Sequence, residues 1–355
     1  MSDPGTGSAA EDDAGLALLV ALPALDEERT VARVIGAIPR QLPGVASVEV
    51  LVVDDGSTDR TAELARAAGA RVLRHERSRG VGGAFQTALA HALASGVDLL
   101  VTIDADGQFD PGDIPALIAP VVGGEADFAT ASRFIDPSRA PRMPWVKRWG
   151  NRQMSRLVSR LAHQRFHDVS CGMRCYGRRA MQSLNPLGAF TYVQEVFLNL
   201  CFKGLRIAEV PIDVRGEREH GTSRVASSLW RYALFTSGIL FRTYRDYRPM
   251  RFFGIIALLL LAPSLLLELF FFGHYALTGS FSPHKWAGFS GAALALLAVL
   301  VLAIGMLADQ LNRHRVYLEE LLYAQREERR EQVRGGGSGG DPGRDPRAPA
   351  GPASQ

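Results

Sequence analysis

The chain has 355 residues, 47% of them apolar, and 40 basic side chains against 37 acidic ones give a net charge of +3. That length holds one large domain or two ordinary ones around a proper core, and the small charge leaves no basic surplus that would call for nucleic acid as a partner. The three cysteines (Cys171, Cys175, Cys201) form no CxxC pair and no zinc-type spacing with His, which excludes a disulfide framework and a structural zinc site and fits reduced thiols.

Residues 1–15 are rich in Gly, Ser, Asp and Ala and read as a disordered lead, too polar and acidic for a signal peptide. The apolar run at 16–22 predicts a strand covered on both faces, and helical spacing follows over 28–38. A second buried strand over 48–53 ends at Asp54-Asp55-Gly56. There Ser57 or Thr58 is placed to cap the next helix, and Asp59 to add favourable charge to its first turn. Next come a strand over 70–73, a helix over 81–94, a strand over 98–103 ending at Asp104, a helix over 114–122 and a strand over 127–131. Strands alternating with helices predict an α/β domain with a mainly parallel sheet. Such sheets bind ligands beyond the carboxyl ends of their strands, where Asp26 to Glu28, Asp54-Asp55 and Asp104/Asp106 all fall.

The second half is less regular. A basic, Pro-containing loop over 133–152 leads into a helix over 151–163, and a helix over 192–202 and a strand over 206–210 follow. The segment 225–250 carries Trp230, Tyr232, Phe235, Phe241, Tyr244 and Tyr247 among arginines, the pattern of a helix lying in a membrane interface. Two apolar runs, 252–273 and 286–308, place two transmembrane helices within 251–309. At about 1.5 Å per residue each reaches roughly 33 Å, enough to cross a bilayer's hydrocarbon. Arg242, Arg245, Arg248 and Arg251 precede the first span, and Arg313 and Arg315 follow the second. The connection between the spans carries one Lys and two His. By the positive-inside rule everything before the first span and both termini are expected in the cytoplasm. A charged helix over 310–333 and a disordered Gly/Pro/Arg tail over 334–355 complete the chain.

Asp104-Ala105-Asp106 directly follows a buried strand. Carboxylates at i and i+2 of a strand end can share one hard cation, with substrate phosphates completing its shell. Asp54-Asp55-Gly56-Ser57-Thr58-Asp59 reinforces this. Two adjacent acids delivered to a Gly turn by a buried strand repel one another unless a ligand or cation is near. Asp54 and Asp59 can be explained as helix caps; Asp55 cannot.

Together with Pro23-Ala24-Leu25-Asp26-Glu27-Glu28, Arg79-Gly80-Val81-Gly82-Gly83-Ala84 and Gly107-Gln108, these motifs stand in the order and spacing of family 2 glycosyltransferases of the GT-A fold. Within that family the chain most resembles the polyprenyl-phosphate sugar synthases, the dolichol-phosphate mannose synthase group. Ser132-Arg133, the run from Asp168 to Arg174, Glu209-Val210-Pro211-Ile212 and Arg218-x-x-Gly221-x-Ser223-Arg224 extend the resemblance over roughly 16–224. It implies a GT-A domain followed by an interfacial helix and two C-terminal spans. It implies Pro23, Ala24, Asp26, Glu28, Asp55, Asp104 and Gln108 around the nucleotide-sugar donor. Asp104, Asp106 and Gln108 match positions around Mg2+ or Mn2+, while Arg133, Ser223 and Arg224 match those gripping the phosphate of a polyprenyl acceptor. Asp104, Asp106 and Arg133 are the implied catalytic set. Arg224 replaces the more frequent Lys, which preserves phosphate binding. Cys171 stands where Ser or Thr is usual and is left out of the site.

The expected reaction transfers the sugar of a GDP- or UDP-sugar to a polyprenyl or dolichyl monophosphate with inversion, in a multi-pass membrane protein that allows homo-oligomers. The nearest alternative is a family 2 enzyme with another membrane-associated acceptor, a glycan or a lipid headgroup. A non-catalytic nucleotide-sugar-binding scaffold would show a broken DxD or lost arginines, and neither is broken here. No QxxRW signature points to a processive polysaccharide synthase. A dinucleotide-binding GxGxxG would need Gly where Phe85 stands, so the glycines at 80–83 serve close helix–backbone approach instead.

Overall fold

The computed structural model describes residues 15–136, 145–184, 193–215 and 248–336, with isolated positions between these stretches. β1 (Leu16–Ala24) is apolar throughout, and its alternation divides it between two cores. Leu18, Val20 and Leu22 join one cluster with Ile35, Leu117 and Ile118. Leu19 and Ala21 join the other, with Phe85, Leu89 and Phe197. Burying each such aliphatic side chain contributes about 1.5–3 kcal/mol relative to leaving it exposed.

The other strands are β2 (Val45–Asp54), β3 (Arg71–Arg74), β4 (Leu99–Thr102), β5 (Phe128–Ser132), β6 (Arg174–Gly177) and β7 (Ile207–Pro211). They form one sheet in the order β3-β2-β1-β4-β6-β5-β7. β6 runs antiparallel between β4 and β5, and the remaining pairs are parallel. The sheet is therefore Rossmann-like and mostly parallel, as expected of a GT-A domain. Helices α1 (Val31–Ala37), α2 (Thr61–Ala67) and α4 (Ile114–Val122) cover the first face. Helices α3 (Gly80–Ser95), α5 (Trp145–Ala162), α6 (Arg178–Ser183) and α7 (Val193–Phe202) cover the second. Strand order reverses between β1 and β4, which puts the topological switch point beside the acid-bearing turns.

Three boundaries depart from expectation, each for a physical reason. α1 begins at Val31 rather than 28 because the Glu27 and Glu28 amides donate instead to Thr61 Oγ1 and Asp59 Oδ2. α2 begins at Thr61, and neither Ser57 nor Thr58 caps it. Ser57 Oγ accepts from the Asp26 amide, while Asp59 receives the Thr61 amide at 2.9 Å. α5 starts at Trp145, inside the expected loop. Its Met154, Val158 and Leu161 pack on the second core, and Trp145 and Trp149 stay exposed.

Beyond the sheet, α8 (Pro249–Thr278) and α9 (Lys285–Gly336) are two candidate membrane spans. The second span and the expected separate helix over 310–333 are one rod of 52 residues. No Gly or Pro occurs between Gly305 and Gly335 to break it. The first span also contains an acid, Glu268, which lies so close to Gly291 that a Cβ there would sit 2.7 Å from its carboxylate. Ser264 donates to the Gly291 carbonyl at 2.8 Å, so small residues let the two helices touch. Near its far end α9 docks on the domain: Arg326 donates to the Gln182 and Leu184 carbonyls, and Gln182 donates to Glu327. A cleft of about 720 Å³ separates the domain from the bases of the two long helices. The expected interfacial helix over 225–250 lies outside the described residues except for isolated positions and its last turn.

All three cysteines are free thiols. Burial pushes the Cys171 thiol up to about 12, which keeps it unreactive.

Candidate active site

Two turns interlock at the carboxyl ends of β1 and β2. Asp26, in the left-handed region at φ 54°, accepts from the Thr58 amide at 2.8 Å while its own amide donates to Ser57 Oγ at 3.0 Å. An aspartate held there costs backbone energy, and these bonds compensate. Glu28 accepts from the Arg60 amide at 3.3 Å. Pro23 and Ala24 are the last two residues of β1, with Ala24 in register with Asp54. Pro23, Ala24, Asp26, Glu28 and Asp55 thus come from two strand ends that hold each other, while Asp104 and Gln108 of the expected donor set follow β4.

Asp55 is buried and receives four donors. Its Oδ1 lies 2.7 Å from His75 Nδ1 and accepts from the Arg79 amide at 2.8 Å. Its Oδ2 accepts from Ser78 Oγ at 2.7 Å and the Gly80 amide at 2.9 Å. Gly80 adopts φ 76° to aim that amide, a conformation glycine accepts without strain. Burial works against the charge on Asp55, but the bonds from Arg79, Ser78, His75 and Gly80 outweigh it. Its carboxyl is held below the ordinary aspartate range. Neighbouring Asp54 is tied to the Ser57 amide at 2.8 Å and pairs with Arg74 at 3.2 Å.

Beyond β4 the chain turns through Asp104 and Asp106. Asp106 is buried and accepts from the Gln108 amide at 3.0 Å. Asp104 lies against Gly172, where a Cβ would come within 2.8 Å of its Oδ2, so any larger residue there would displace that carboxylate. Among the described residues no three His, Cys, Asp or Glu side chains converge as a metal cage. The protein offers a pair of hard carboxylate donors on one turn. That fits Mg2+ or Mn2+, which take one or two carboxylates and leave the rest of the shell to phosphate and water. Gln108 joins this turn to the chain leaving β7: its carbonyl accepts from the Arg215 amide at 3.0 Å, and its Nε2 donates to the Arg215 carbonyl at 3.4 Å.

Arg133, just after β5, forks onto Asp168, with Nε at 2.6 Å from one oxygen and Nη2 at 3.0 Å from the other. Nη2 also donates to Ser170 Oγ at 2.8 Å. Asp168 is wholly buried, and burial opposes its charge. The Arg133 guanidinium and the Ser170 amide more than compensate, lowering its pKa. Glu209 of β7 fixes the same loop by accepting from the His167 and Asp168 amides. The sequence shows Asp168 and Glu209 as motif members but gives no sign of this chain of charges. Their pairing crosses about 40 residues and has no local signature. Nor does the sequence alone show that α5 presents Trp145, Arg148, Trp149, Arg152 and Arg156 together on one exposed stripe. Ser223 and Arg224 lie outside the described residues.

The model of glycosyl transferase family 2 matches residues 19–184. A polyprenol monophosphomannose synthase from Mycolicibacterium smegmatis is 31% identical over 61% of this chain and 84% of its own. The chain is a family 2 glycosyltransferase. This glycosyltransferase is also 25% identical to a dodecaprenyl-phosphate galacturonate synthase from Rhizobium johnstonii, over 84% of this chain and 88% of that one, a match reaching beyond the catalytic domain. Its fold is similar to the glucosyl-3-phosphoglycerate synthase of Mycobacterium tuberculosis crystallised with Mn2+, UDP and phosphoglyceric acid. The TM-score is 0.51 and the identity 27%, covering 66% of this chain and 80% of that one.

Proposed function

We propose that this family 2 glycosyltransferase moves a sugar from a GDP- or UDP-sugar to the phosphate of a polyprenyl or dolichyl lipid, with inversion at the anomeric carbon. The single observation that carries the reading is the Gln108–Arg215 pairing. It ties the turn bearing Asp104 and Asp106 to Arg215, the residue eight positions before Ser223 in the sequence. The relatives named for polyprenyl-phosphate chemistry, and two apolar helices in the same chain, support a lipid acceptor.

In this reading Pro23, Ala24, Asp26, Glu28 and Asp55 shape the nucleotide pocket. Asp55 acts by ordering the 75–80 loop as well as by its own charge. Asp104 and Asp106, braced by Gln108, would hold Mg2+ or Mn2+, whose charge offsets that appearing on the nucleoside diphosphate as it leaves. Ser223 and Arg224, with Arg133 held in place by Asp168, receive the lipid phosphate. A lipid monophosphate has a second pKa near about 6 and is largely a dianion at neutral pH, so its oxygen attacks without a general base. Catalysis then rests on holding two phosphate-bearing substrates in line despite their repulsion. In this reading the catalytic domain and both termini face the cytoplasm, the side favoured by the flanking arginines. Membranes containing the protein, incubated with a panel of labelled nucleotide sugars and short polyprenyl phosphates, test the proposal. Label should enter the organic phase only when both a polyprenyl phosphate and one matching donor are present.

A further inference from the structure

Helix α9 has two unlike faces between Gly291 and Glu327. On one, Gly291 and Gly305 approach Glu268 and Phe253 of α8. The same face continues into Asn312, Val316 and Tyr323 beside the domain cleft, and then Glu327 bonded to α6. At about 100° per residue these positions stay on one side of the rod. The opposite side carries Leu297, Leu300, Ile304, Leu307, Leu311, His314, Leu318 and Leu321, alternating three and four residues apart. This is the a/d spacing of a coiled-coil seam.

Lipid covers the first half of that seam but cannot reach the second. Counted from Trp286, hydrocarbon of about 30 Å is crossed in roughly 20 residues, near Met306. Leu318 and Leu321 lie about 48 and 52 Å along the rod, beyond the headgroups of a bilayer of ~40–45 Å total thickness. Yet Leu311, Leu318 and Leu321 are 69%, 61% and 67% exposed. A helix already docked on its own domain by one face has no structural reason to keep leucines in water on the other.

We infer that this seam is where a second copy of the chain packs, in a parallel coiled coil that starts in the bilayer and continues into the cytoplasm. The inference rests on the reading that α9 crosses the membrane, and is independent of which sugar is transferred. Two general properties and one observation choose a second copy over other occupants. Heptad seams are self-complementary. Copies inserted in one membrane share orientation and depth, so identical seams meet in register. Asn312, Val316, Tyr323 and Glu327 face the domain from the side of the helix away from the seam, so pairing along the seam does not compete with that docking. His314, a lone polar residue at a d position, sets the register at some cost in stability, as single polar core residues do in coiled coils.

Leu318→Cys and Arg313→Cys variants of the full-length protein, in native membranes, supply the test under mild oxidation. Cys171 and Cys175 are buried, and burial raises all three native thiols, so background coupling is low. Leu318→Cys should form a disulfide-linked dimer, at least ten-fold more than Arg313→Cys, which faces away from the seam. Reconstituted in nanodiscs, the wild type should show twice the 38.5 kDa protomer mass. The Leu318→Glu/Leu321→Glu pair should show one protomer and keep its transferase activity, and His314→Leu should tighten the dimer. Equal coupling at 313 and 318, or a wild-type monomer, overturns the inference. So does protection of position 318 by lipid or by residues 337–355 of the same chain.

Discussion

Arg133 and Asp168, 35 residues apart, form a forked ion pair with contacts of 2.6 and 3.0 Å, the carboxylate wholly buried. Breaking a buried pair from one side leaves an uncompensated charge and costs about 3–5 kcal/mol. Asp168→Ala should therefore destabilise the domain by that order and lower the melting temperature of the purified protein by several degrees. Arg133→Lys, which keeps the charge but loses the fork, should cost less stability and still slow transfer. An Asp168→Ala protein melting like the wild type would show that the pair contributes nothing.

Acid should act through the same group. Asp55 and Asp168 both have folded pKa values below the ordinary aspartate value. Their stabilising contribution is present above about pH 4 and is lost as pH falls through the lower folded values. Thermal stability should stay flat from neutral pH down to the ordinary aspartate range and then fall. Asp168→Asn should start lower and decline less steeply on the acid side. Parallel acid limbs for the two proteins would contradict the linkage.

Asp55 gathers His75, Ser78, Arg79 and Gly80 around the proposed nucleotide pocket. Asp55→Ala should release the 75–80 loop and weaken nucleotide-sugar binding at least ten-fold by isothermal titration, with little change in affinity for polyprenyl phosphate. Unchanged donor affinity would remove Asp55 and its loop from the pocket.

The architecture was legible in the sequence where local pattern decides it. Continuous apolar runs ending in acids located β1, β2 and β4 and the turns of Asp26, Asp55 and Asp104, and α4 lies over 114–122 as expected. What escaped depends on residues brought together from far apart. The donors to Asp55 come 20 to 25 residues later, and Arg133 finds Asp168 across 35. The start of α1 shifted because the amides of Glu27 and Glu28 bind a neighbouring turn, which no helical periodicity reveals. The division of α9 into a span and a separate helix followed a change in composition, whereas the backbone has no reason to stop there.

The acceptor side is tested by two arginines with different expected roles. Arg224→Ala should raise the apparent KM for polyprenyl phosphate ten-fold or more and leave donor binding nearly unchanged, since a charge-assisted phosphate contact contributes roughly 1.5–3 kcal/mol. Arg248 immediately precedes α8 and lies over the Phe202 ring at 5.9 Å. Arg248→Ala should mainly loosen membrane association. Equal, mild effects of both on acceptor kinetics would place the phosphate elsewhere.

The most direct test of the account is the fate of labelled sugar in membranes carrying wild-type protein or Asp106→Asn, each with and without EDTA. With a matching nucleotide sugar and polyprenyl phosphate, wild-type membranes should yield an organic-soluble product whose mass is that of the lipid phosphate plus one sugar residue. EDTA should abolish it, and added Mg2+ or Mn2+ should restore it. Asp106→Asn should fold normally and yield at least a hundred-fold less, because it removes half of the carboxylate pair proposed to hold the metal. Full product in EDTA, or from Asp106→Asn, would contradict the account.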